Sequence, residues 1–120
     1  MLDHVSLNVT DLAASTEFYE RALAPLGAEV VRRYPAAVGI GPGFPCFWLV
    51  RREPVSGPAH VAFTAPDRAA VAAFHAAALA AGGRDNGAPG LRPQYHPAYF
   101  GAFALDPDGN NVEAVCHRDE

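Results

Sequence analysis

Three side chains that lie far apart along the chain are of the types that bind a divalent metal ion: His4, His60 and Glu113. Two neutral imidazoles suit a borderline divalent cation, which usually needs a carboxylate as well to offset its charge. Glu113 stands between Val112 and Ala114 in a strand-like segment, where a buried carboxylate is costly without a partner. The residue types therefore indicate a metal centre. The alternatives are histidines at the rim of a core and an edge-strand carboxylate in water.

The two histidines begin matching stretches of sequence. Residues 3–27, DHVSLNVTDLAASTEFYERALAPLG, align with residues 59–83, AHVAFTAPDRAAVAAFHAAALAAGG, at the constant offset that separates His4 from His60. The most informative identities are His4/His60, Asp11/Asp67, Phe18/Phe74 and Gly27/Gly83. An internal repeat predicts two copies of one supersecondary unit. If their first strands meet near a pseudo-twofold axis, the two histidines lie close together.

Each copy has the pattern of a strand followed by a helix. In residues 3–9, alternation places His4 on the face opposite the apolar side chains, so His4 faces away from a helix packed on the apolar side. Asp11 and Asp67 suit the residue before a helix, and the matched glycines suit helix ends.

Further strands are expected after each helix. The segments rich in β-branched and aromatic residues are 29–34, 36–41 and 46–52 in the first copy, and 99–105 and 111–117 in the second. The second copy also has a proline-rich passage over residues 87–97. We therefore predict an α+β fold of two βαβββ modules, residues 1–53 and 58–120, joined by a linker at residues 54–57.

Composition excludes several classes of protein. A chain of 120 residues with 50% hydrophobic and 18% charged residues predicts a single globular domain. A net charge of −4 with scattered arginines argues against a nucleic-acid partner, and no apolar run approaches the ~20 residues of a membrane span. We expect a cytoplasmic protein.

Cys46 and Cys116 lack CxxC spacing and are expected to be reduced thiols.

The paired βαβββ pattern, the DHV opening, the AHVAF echo and the DPDGNNVE ending resemble the vicinal oxygen chelate superfamily, which includes glyoxalases, bleomycin-resistance proteins and extradiol dioxygenases. The resemblance covers essentially the whole chain. It implies an open, curved eight-stranded sheet around a metal-containing cleft, a small-molecule substrate and a homodimer. It also implies that His4, His60 and Glu113, on the first, fifth and eighth strands, bind zinc, nickel, manganese, cobalt or iron(II).

Two departures from the patterns of the family narrow the reaction. Glyoxalase I-like enzymes place a second carboxylate on the fourth strand, near the position of Trp48, which argues against a glyoxalase I lyase. The extradiol dioxygenase signature has a tyrosine where this chain has Phe103, and a benzyl ring cannot donate a proton. Lyase, isomerase and dioxygenase reactions all stay open.

His96 is the candidate for moving protons, since an imidazole exchanges them near neutral pH. The alternative is an ordinary loop histidine. The side chains expected to line the substrate pocket are Trp48, Phe47, Tyr95, Tyr99, Phe103 and Arg92, of which Arg92 would pair with an anionic group.

The rival hypothesis is a binding protein of the bleomycin-resistance kind, which sequesters a ligand without catalysis. Such a protein would use Phe44, Phe47, Trp48 and Tyr99 for apolar or stacking contacts. Because binding proteins of this kind commonly lack the metal ligands, the two histidines and the glutamate favour the enzyme.

Overall fold

A computed structural model describes residues 1–55 and 57–119. Ser56, within the predicted linker, and Glu120, the predicted end of the second module, lie outside the described residues. The first module contains β1 (Val5–Val9), α1 (Leu12–Leu23), a short 3-10 turn (Ala24–Leu26), β2 (Glu29–Tyr34), β3 (Ala37–Gly41) and β4 (Phe47–Arg51). The second contains β5 (His60–Thr64), α2 (Arg68–Ala80), β6 (Arg84–Leu91), β7 (Phe100–Leu105) and β8 (Asn111–Cys116). The α+β class and the two βαβββ modules are thus confirmed.

The eight strands form two four-stranded sheets, with the orders β1-β4-β3-β2 and β5-β8-β7-β6. In each sheet the first strand of the module pairs in parallel with the last, and the remaining pairs are antiparallel. Ser6 pairs with Trp48, and Ala62 pairs with Glu113. Trp48 is therefore the counterpart of Glu113 in the first module.

Each helix begins at the aspartate that the sequence predicts. The Asp11 carboxylate accepts a hydrogen bond from Ala14 N at 3.0 Å, and the Asp67 carboxylate accepts one from Ala70 N at 2.7 Å. These side chains satisfy amides that have no partner within the helix. The capped helices then start at equivalent points of the two modules, which fixes how each one lies on its sheet.

The hydrophobic core lies between the helices and the inner faces of the sheets. Phe18 on α1 and Phe74 on α2 are fully buried, and the two helices contact each other. The Phe47 ring lies 4.9 Å from the Tyr19 ring and 5.1 Å from the Phe63 ring, which joins the two modules. Burying each such side chain contributes about 1.5–3 kcal/mol. The two modules therefore share one core.

The two modules lie side by side, with β1 and β5 running in opposite directions. Thr10, just after β1, donates its hydroxyl to Asp108 Oδ1 at 2.7 Å, in the turn next to the start of β5. At the other end, Thr64 of β5 lines an apolar cavity of about 260 Å³ together with Cys46, which precedes β4, the parallel neighbour of β1. Equivalent residues of the two modules consequently lie at opposite ends of this strand pair.

Strand β6 (Arg84–Leu91) includes the first residues of the proline-rich passage at 87–97. Its pairing with β7 shifts register between Asp85 and Gly87 and again between Gly87 and Gly90. Gly87 has a φ of +152°, and a Cβ there would lie 2.8 Å from the Phe103 ring. The bulges and glycines let an irregular strand pair closely with β7.

Within the described residues, Cys46 and Cys116 are not joined by a disulfide. Among residues 1–55 and 57–119, neither helix is long and apolar enough to cross a membrane.

Candidate metal and ligand site

Glu113 and His60 meet on the outer face of the second sheet, opposite the face that packs on α2. Glu113 lies on β8 with 1% of its side chain exposed, whereas the side chain of His60 on β5 is 54% exposed. His60 Nε2 lies 2.7 Å from Glu113 Oε1. A carboxylate accepts and an imidazole N–H donates, so this contact satisfies one oxygen of a buried acid. The pair is an imidazole and a carboxylate open to solvent on one side.

Tyr99 contacts the other oxygen of the same carboxylate. Its hydroxyl donates a hydrogen bond to Glu113 Oε2. Burial, the hydrogen bond to Glu113 and the negative charge of that carboxylate raise the pKa of Tyr99 to about 12. The phenol therefore keeps its proton at neutral pH, and the two oxygens of Glu113 have different partners.

These residues line a pocket of about 370 Å³, together with Tyr95 and Phe103. The Phe103 ring centroid lies 6.2 Å from that of His60. Four predicted site residues, His60, Tyr95, Tyr99 and Phe103, thus lie around Glu113. The pocket has a polar floor and aromatic walls, the usual composition of a small-molecule site.

Arg92 lies beside the pocket on the Phe103 ring. Its guanidinium carbon is 5.4 Å from the ring centroid, and its Nη2 donates to the carbonyl oxygen of Ala88 at 2.8 Å. A guanidinium has five N–H donors in a fixed plane, so further donors stay available to a ligand.

His96 lies outside this pocket, with both ring nitrogens in contact with other groups. Its Nδ1 accepts from Ala98 N at 3.1 Å, and its Nε2 lies 2.6 Å from His117 Nδ1. Because Nδ1 is an acceptor, the proton of the neutral ring is on Nε2 and is donated to His117. The His96 ring packs edge-on against Tyr99 at 5.5 Å. His96 therefore contacts Tyr99, the hydrogen-bond partner of Glu113, through ring packing.

His4 does not join the other two predicted ligands within one chain. It lies at the amino end of β1, where its Nδ1 is 2.7 Å from Asp3 Oδ1. Since β1 and β5 run in opposite directions, His4 and His60 lie at opposite ends of strands that are each about 17 Å long. Imidazole nitrogens that share an ion lie about 2.0–2.1 Å from it. Within residues 1–55 and 57–119, no group of three or more His, Cys, Asp or Glu side chains could hold a metal ion.

His4 and His60 are not close together because of how the pseudo-twofold axis lies relative to β1 and β5. A twofold axis perpendicular to two neighbouring strands makes them antiparallel, so equivalent residues are separated unless they lie at the strand centres. His4 and His60 each precede or begin a strand, and the axis therefore places them apart. The donor types still fit a divalent cation, but one chain brings together two of the three.

Phe47 and Trp48 point to opposite faces of the first sheet. Phe47 is 2% exposed and packs in the shared core, so it does not line a pocket with Trp48. Adjacent residues of a strand alternate between faces, which is why both could not occupy the same site. Trp48 stacks on Tyr34, with ring centroids 6.1 Å apart and planes 20° apart. Phe44 is exposed in the turn before β4.

The role of Tyr99 as the hydrogen-bond partner of Glu113 was not foreseen from the sequence. The sequence predicts Tyr99 only as a pocket residue. The feature that indicates more is its position just before β7, the antiparallel neighbour of the strand that contains Glu113. Its position follows from two backbone hydrogen bonds that close a turn, Arg92 N to Tyr99 O at 2.8 Å and Tyr99 N to His96 O at 3.1 Å.

Solved structures of similar fold come from several bacteria. A glyoxalase/bleomycin resistance protein from Albidiferax ferrireducens T118 is 29% identical, with a TM-score of 0.83 over 97% of this chain and 98% of that one. A lactoylglutathione lyase from Agrobacterium tumefaciens is 22% identical, with a TM-score of 0.72 over 97% and 92%. TioX from Micromonospora sp. ML1 is 17% identical, with a TM-score of 0.70 over 94% and 93%. The last two comparisons show the fold alone.

No curated protein matches the sequence. The family model described as Glyoxalase/Bleomycin resistance protein/Dioxygenase superfamily matches residues 1–114. That match includes both histidines, Glu113 and every strand of both sheets up to the middle of β8. The chain therefore belongs to the glyoxalase/bleomycin resistance protein/dioxygenase superfamily.

Proposed function

We propose that this protein is a metal-dependent enzyme that acts on a small oxygen-bearing molecule, with a divalent ion held by His60 and Glu113 of one chain and His4 of a second copy. The observation that carries the proposal is the His60–Glu113 pair, with 2.7 Å between Nε2 and Oε1, on a carboxylate buried at the floor of a pocket. An imidazole and a carboxylate are two of the three donors in a two-histidine, one-carboxylate centre. Such a centre leaves coordination positions open for a ligand.

The homodimer is part of the proposal because one chain has the donors at separate ends. His4 is 52% exposed on its side chain and lies on the outer face of the first sheet, and His60 lies on the outer face of the second. In a twofold dimer each chain would offer His4 to the His60–Glu113 pair of the other, which yields two equivalent centres. The outer faces of the two sheets would then enclose a common cleft.

The residues of the chain have separable roles in this proposal. His60 and Glu113 would bind the ion, which supplies a Lewis acid for an oxygen of the substrate when bound. Phe103 and Tyr95 would exclude water from the pocket, and Arg92 would orient an anionic group of the substrate. His96 stays the candidate for moving a proton; its Nε2 contacts His117, and its ring packs edge-on against Tyr99, whose phenol keeps its proton. Zinc, nickel, manganese, cobalt and iron(II) all fit this donor set.

The reaction class is proposed at the level of lyase, isomerase or dioxygenase. Trp48 stands at the counterpart of Glu113, so the first module offers no carboxylate there, which disfavours a two-carboxylate centre of the glyoxalase I type. A lactoylglutathione lyase has a similar fold, so the fold itself is compatible with lyase chemistry. A cytoplasmic location stays a prediction from sequence.

Complementation between variants tests both the ligands and the dimer. His4→Ala and Glu113→Gln should each abolish stoichiometric binding of zinc or nickel in a competition titration. A mixed dimer of the two variants has one intact centre, composed of His60 and Glu113 from the first and His4 from the second. Unfolding and refolding an equimolar mixture should therefore restore about a quarter of the wild-type sites.

The failing outcomes are distinct. If His60→Ala binds metal as tightly as the wild-type protein, the proposed centre is wrong. If the mixture restores no sites while each single variant has lost them, His4 does not act across an interface. Sedimentation of the wild-type protein at the same concentration provides the control, because a monomer that binds metal also contradicts the shared centre.

A second candidate is a ligand-binding protein without catalysis, favoured by the aromatic surface on the first sheet. Trp48 and Tyr34 stack there on the outer face, which suits a flat ligand. Metal removal separates the two candidates. A binding protein keeps its affinity for an aromatic ligand such as a catechol after chelation, and an enzyme of the proposed kind loses both affinity and turnover.

A further inference from the structure

We propose that Tyr99 is a positioning residue for Glu113, holding one carboxylate oxygen so that a metal ion binds through the other. This inference rests on the metal centre proposed above and goes beyond it, since it assigns the coordination mode of the carboxylate and the residue that sets it. In this role Tyr99 would act on the ion through Glu113, with which its hydroxyl is hydrogen-bonded.

The partition of the two oxygens is the first observation. Glu113 Oε2 accepts the hydroxyl of Tyr99, and Glu113 Oε1 faces His60 Nε2 at 2.7 Å. An ion placed between His60 and Glu113 would replace the second contact and leave the first intact. A phenol is a neutral donor with an ordinary pKa near 10, so it does not compete with the ion for the charge of the carboxylate. The carboxylate would then be monodentate through Oε1.

The Tyr99 ring is held by three other rings, which is the second observation. Tyr95, His96 and His117 pack against it with centroid separations of 4.9, 5.5 and 5.3 Å. His96 and His117 are joined to each other by the 2.6 Å contact between their nitrogens. A hydroxyl on a ring clamped from several sides has few alternative positions. Little conformational freedom is therefore lost when it orients the carboxylate.

Gly101 provides a third observation from the neighbouring strand. A Cβ at this position would lie 3.2 Å from Tyr99 Cε1 and 3.3 Å from Glu113 Oε2. The absence of a side chain thus leaves room where the phenol and the carboxylate meet. Phe103, the other aromatic wall of the pocket near His60, has no hydroxyl to offer. Tyr99 supplies a phenolic donor to Glu113 from outside β7.

The test is a metal titration of matched tyrosine variants. Removing a hydrogen-bond partner of a metal ligand typically costs about 10–100-fold in metal affinity. Tyr99→Phe keeps the ring and its packing, and should weaken zinc binding by about that factor in a chelator competition assay. Tyr34→Phe, which removes the hydroxyl of an exposed tyrosine on the first sheet, should leave the affinity within about 2-fold of wild type, since Tyr34 stacks on Trp48 by its ring.

A spectroscopic measurement separates positioning from general destabilisation. Cobalt(II) absorbs more weakly in the visible range as its coordination number rises. Tyr99→Phe would free Oε2 to bind the ion, so the cobalt-loaded variant should show lower absorbance per bound ion than wild type and Tyr34→Phe. Gly101→Ala is the second variant, because it displaces the same contact without removing a hydroxyl, and should shift affinity and spectrum in the same direction by less.

The possible results separate the role of Tyr99 from the metal centre itself. Loss of binding in His60→Ala, together with wild-type affinity and spectrum in Tyr99→Phe, overturns the role of Tyr99 and leaves the metal centre intact. Wild-type protein that binds no zinc or cobalt overturns both. A weaker Tyr99→Phe site with an unchanged cobalt spectrum contradicts the coordination mode, because the carboxylate then stays monodentate without the phenol.

Discussion

The outer faces of the two sheets differ although the strands that form them share one register. In the first sheet Trp48 pairs with Gly39, and a Cβ at Gly39 would lie 2.9 Å from the indole. In the second sheet Glu113 pairs with Phe103 at the same two positions. One module has a large ring lying over a glycine, and the other has a carboxylate beside a ring. The same backbone register therefore carries different functional groups in the two modules. The chemistry of each face depends on the outward side chains of two adjacent strands.

The helices show a second difference at equivalent positions. Tyr19 on α1 donates to Asp106 Oδ2 at 2.5 Å, and Asp106 belongs to the turn before β8 in the other module. His75 on α2, the repeat counterpart of Tyr19, lies 2.9 Å from Asp85 Oδ1 at the start of β6 in its own module. The first contact joins the modules and the second joins a helix to its own sheet. The cost of breaking each should differ accordingly.

The largest expected effect on stability concerns the buried phenylalanines that occupy equivalent positions in the two modules. Phe18→Ala and Phe74→Ala each open a cavity in the shared core, since the two rings are 1% and 0% exposed. Each should lower the free energy of unfolding by about 3–5 kcal/mol. Urea unfolding followed by circular dichroism measures both. A loss from one variant far smaller than from the other would show that the two modules do not depend equally on the common core.

A smaller effect is expected where the modules are joined. Tyr19→Phe leaves Asp106 without the hydroxyl that it accepts, and burial together with Asp106 raises the pKa of Tyr19 well above its ordinary value, so the phenol is neutral and donating. The free energy of unfolding should fall by about 1–3 kcal/mol. Tyr34→Phe, at an exposed ring, is the matched control and should change it by less than about 0.5 kcal/mol. Equal losses in the two variants would contradict a special role for the buried contact.

The smallest effect concerns the contact within the second module and depends on pH. A backbone hydrogen bond from Gly87 and a hydrogen bond from His75 lower the pKa of Asp85 below its ordinary value. A lowered folded-state pKa contributes stability above the unfolded value, and that contribution is lost as pH falls below about 3.8 towards the folded pKa. Wild-type protein should therefore lose slightly more stability than Asp85→Asn between pH 6 and pH 3.

Urea midpoints at the two pH values measure that difference. Glu17→Gln, at an exposed position on α1, controls for the removal of a negative charge. An acid dependence of Asp85→Asn identical to that of the wild-type protein would show that the Asp85 contacts do not persist in solution.

Much of this architecture follows from patterns within the sequence. The repeat that begins at His4 and His60 predicts two modules, Asp11 and Asp67 mark where both helices start, and alternation in β1 assigns His4 to the outer face. These signals are local, because a strand period or a helix cap depends on a few neighbouring residues. They are sufficient for the α+β fold.

The parts that local patterns could not supply are set by tertiary contacts. Strand β6 contains Gly87, Pro89 and Gly90, which disfavour a strand by propensity, and its pairing with β7 overrides them. The separation of His4 from His60 depends on the direction of the axis between the modules, for which the sequence has no signal. The contact between Tyr99 and Glu113 depends on how the preceding turn closes, and spacing alone does not encode it.

The opposed directions of β1 and β5 have a consequence for how this protein would behave on dilution. Each chain has His60 and Glu113 at one end of the strand pair and His4 at the other, so under the proposed function an isolated chain would offer an incomplete set of metal ligands at each end. Under the proposed function, metal retention would scale with the fraction of chains that have found a partner. Cells could then adjust catalytic capacity through protein abundance more steeply than in direct proportion.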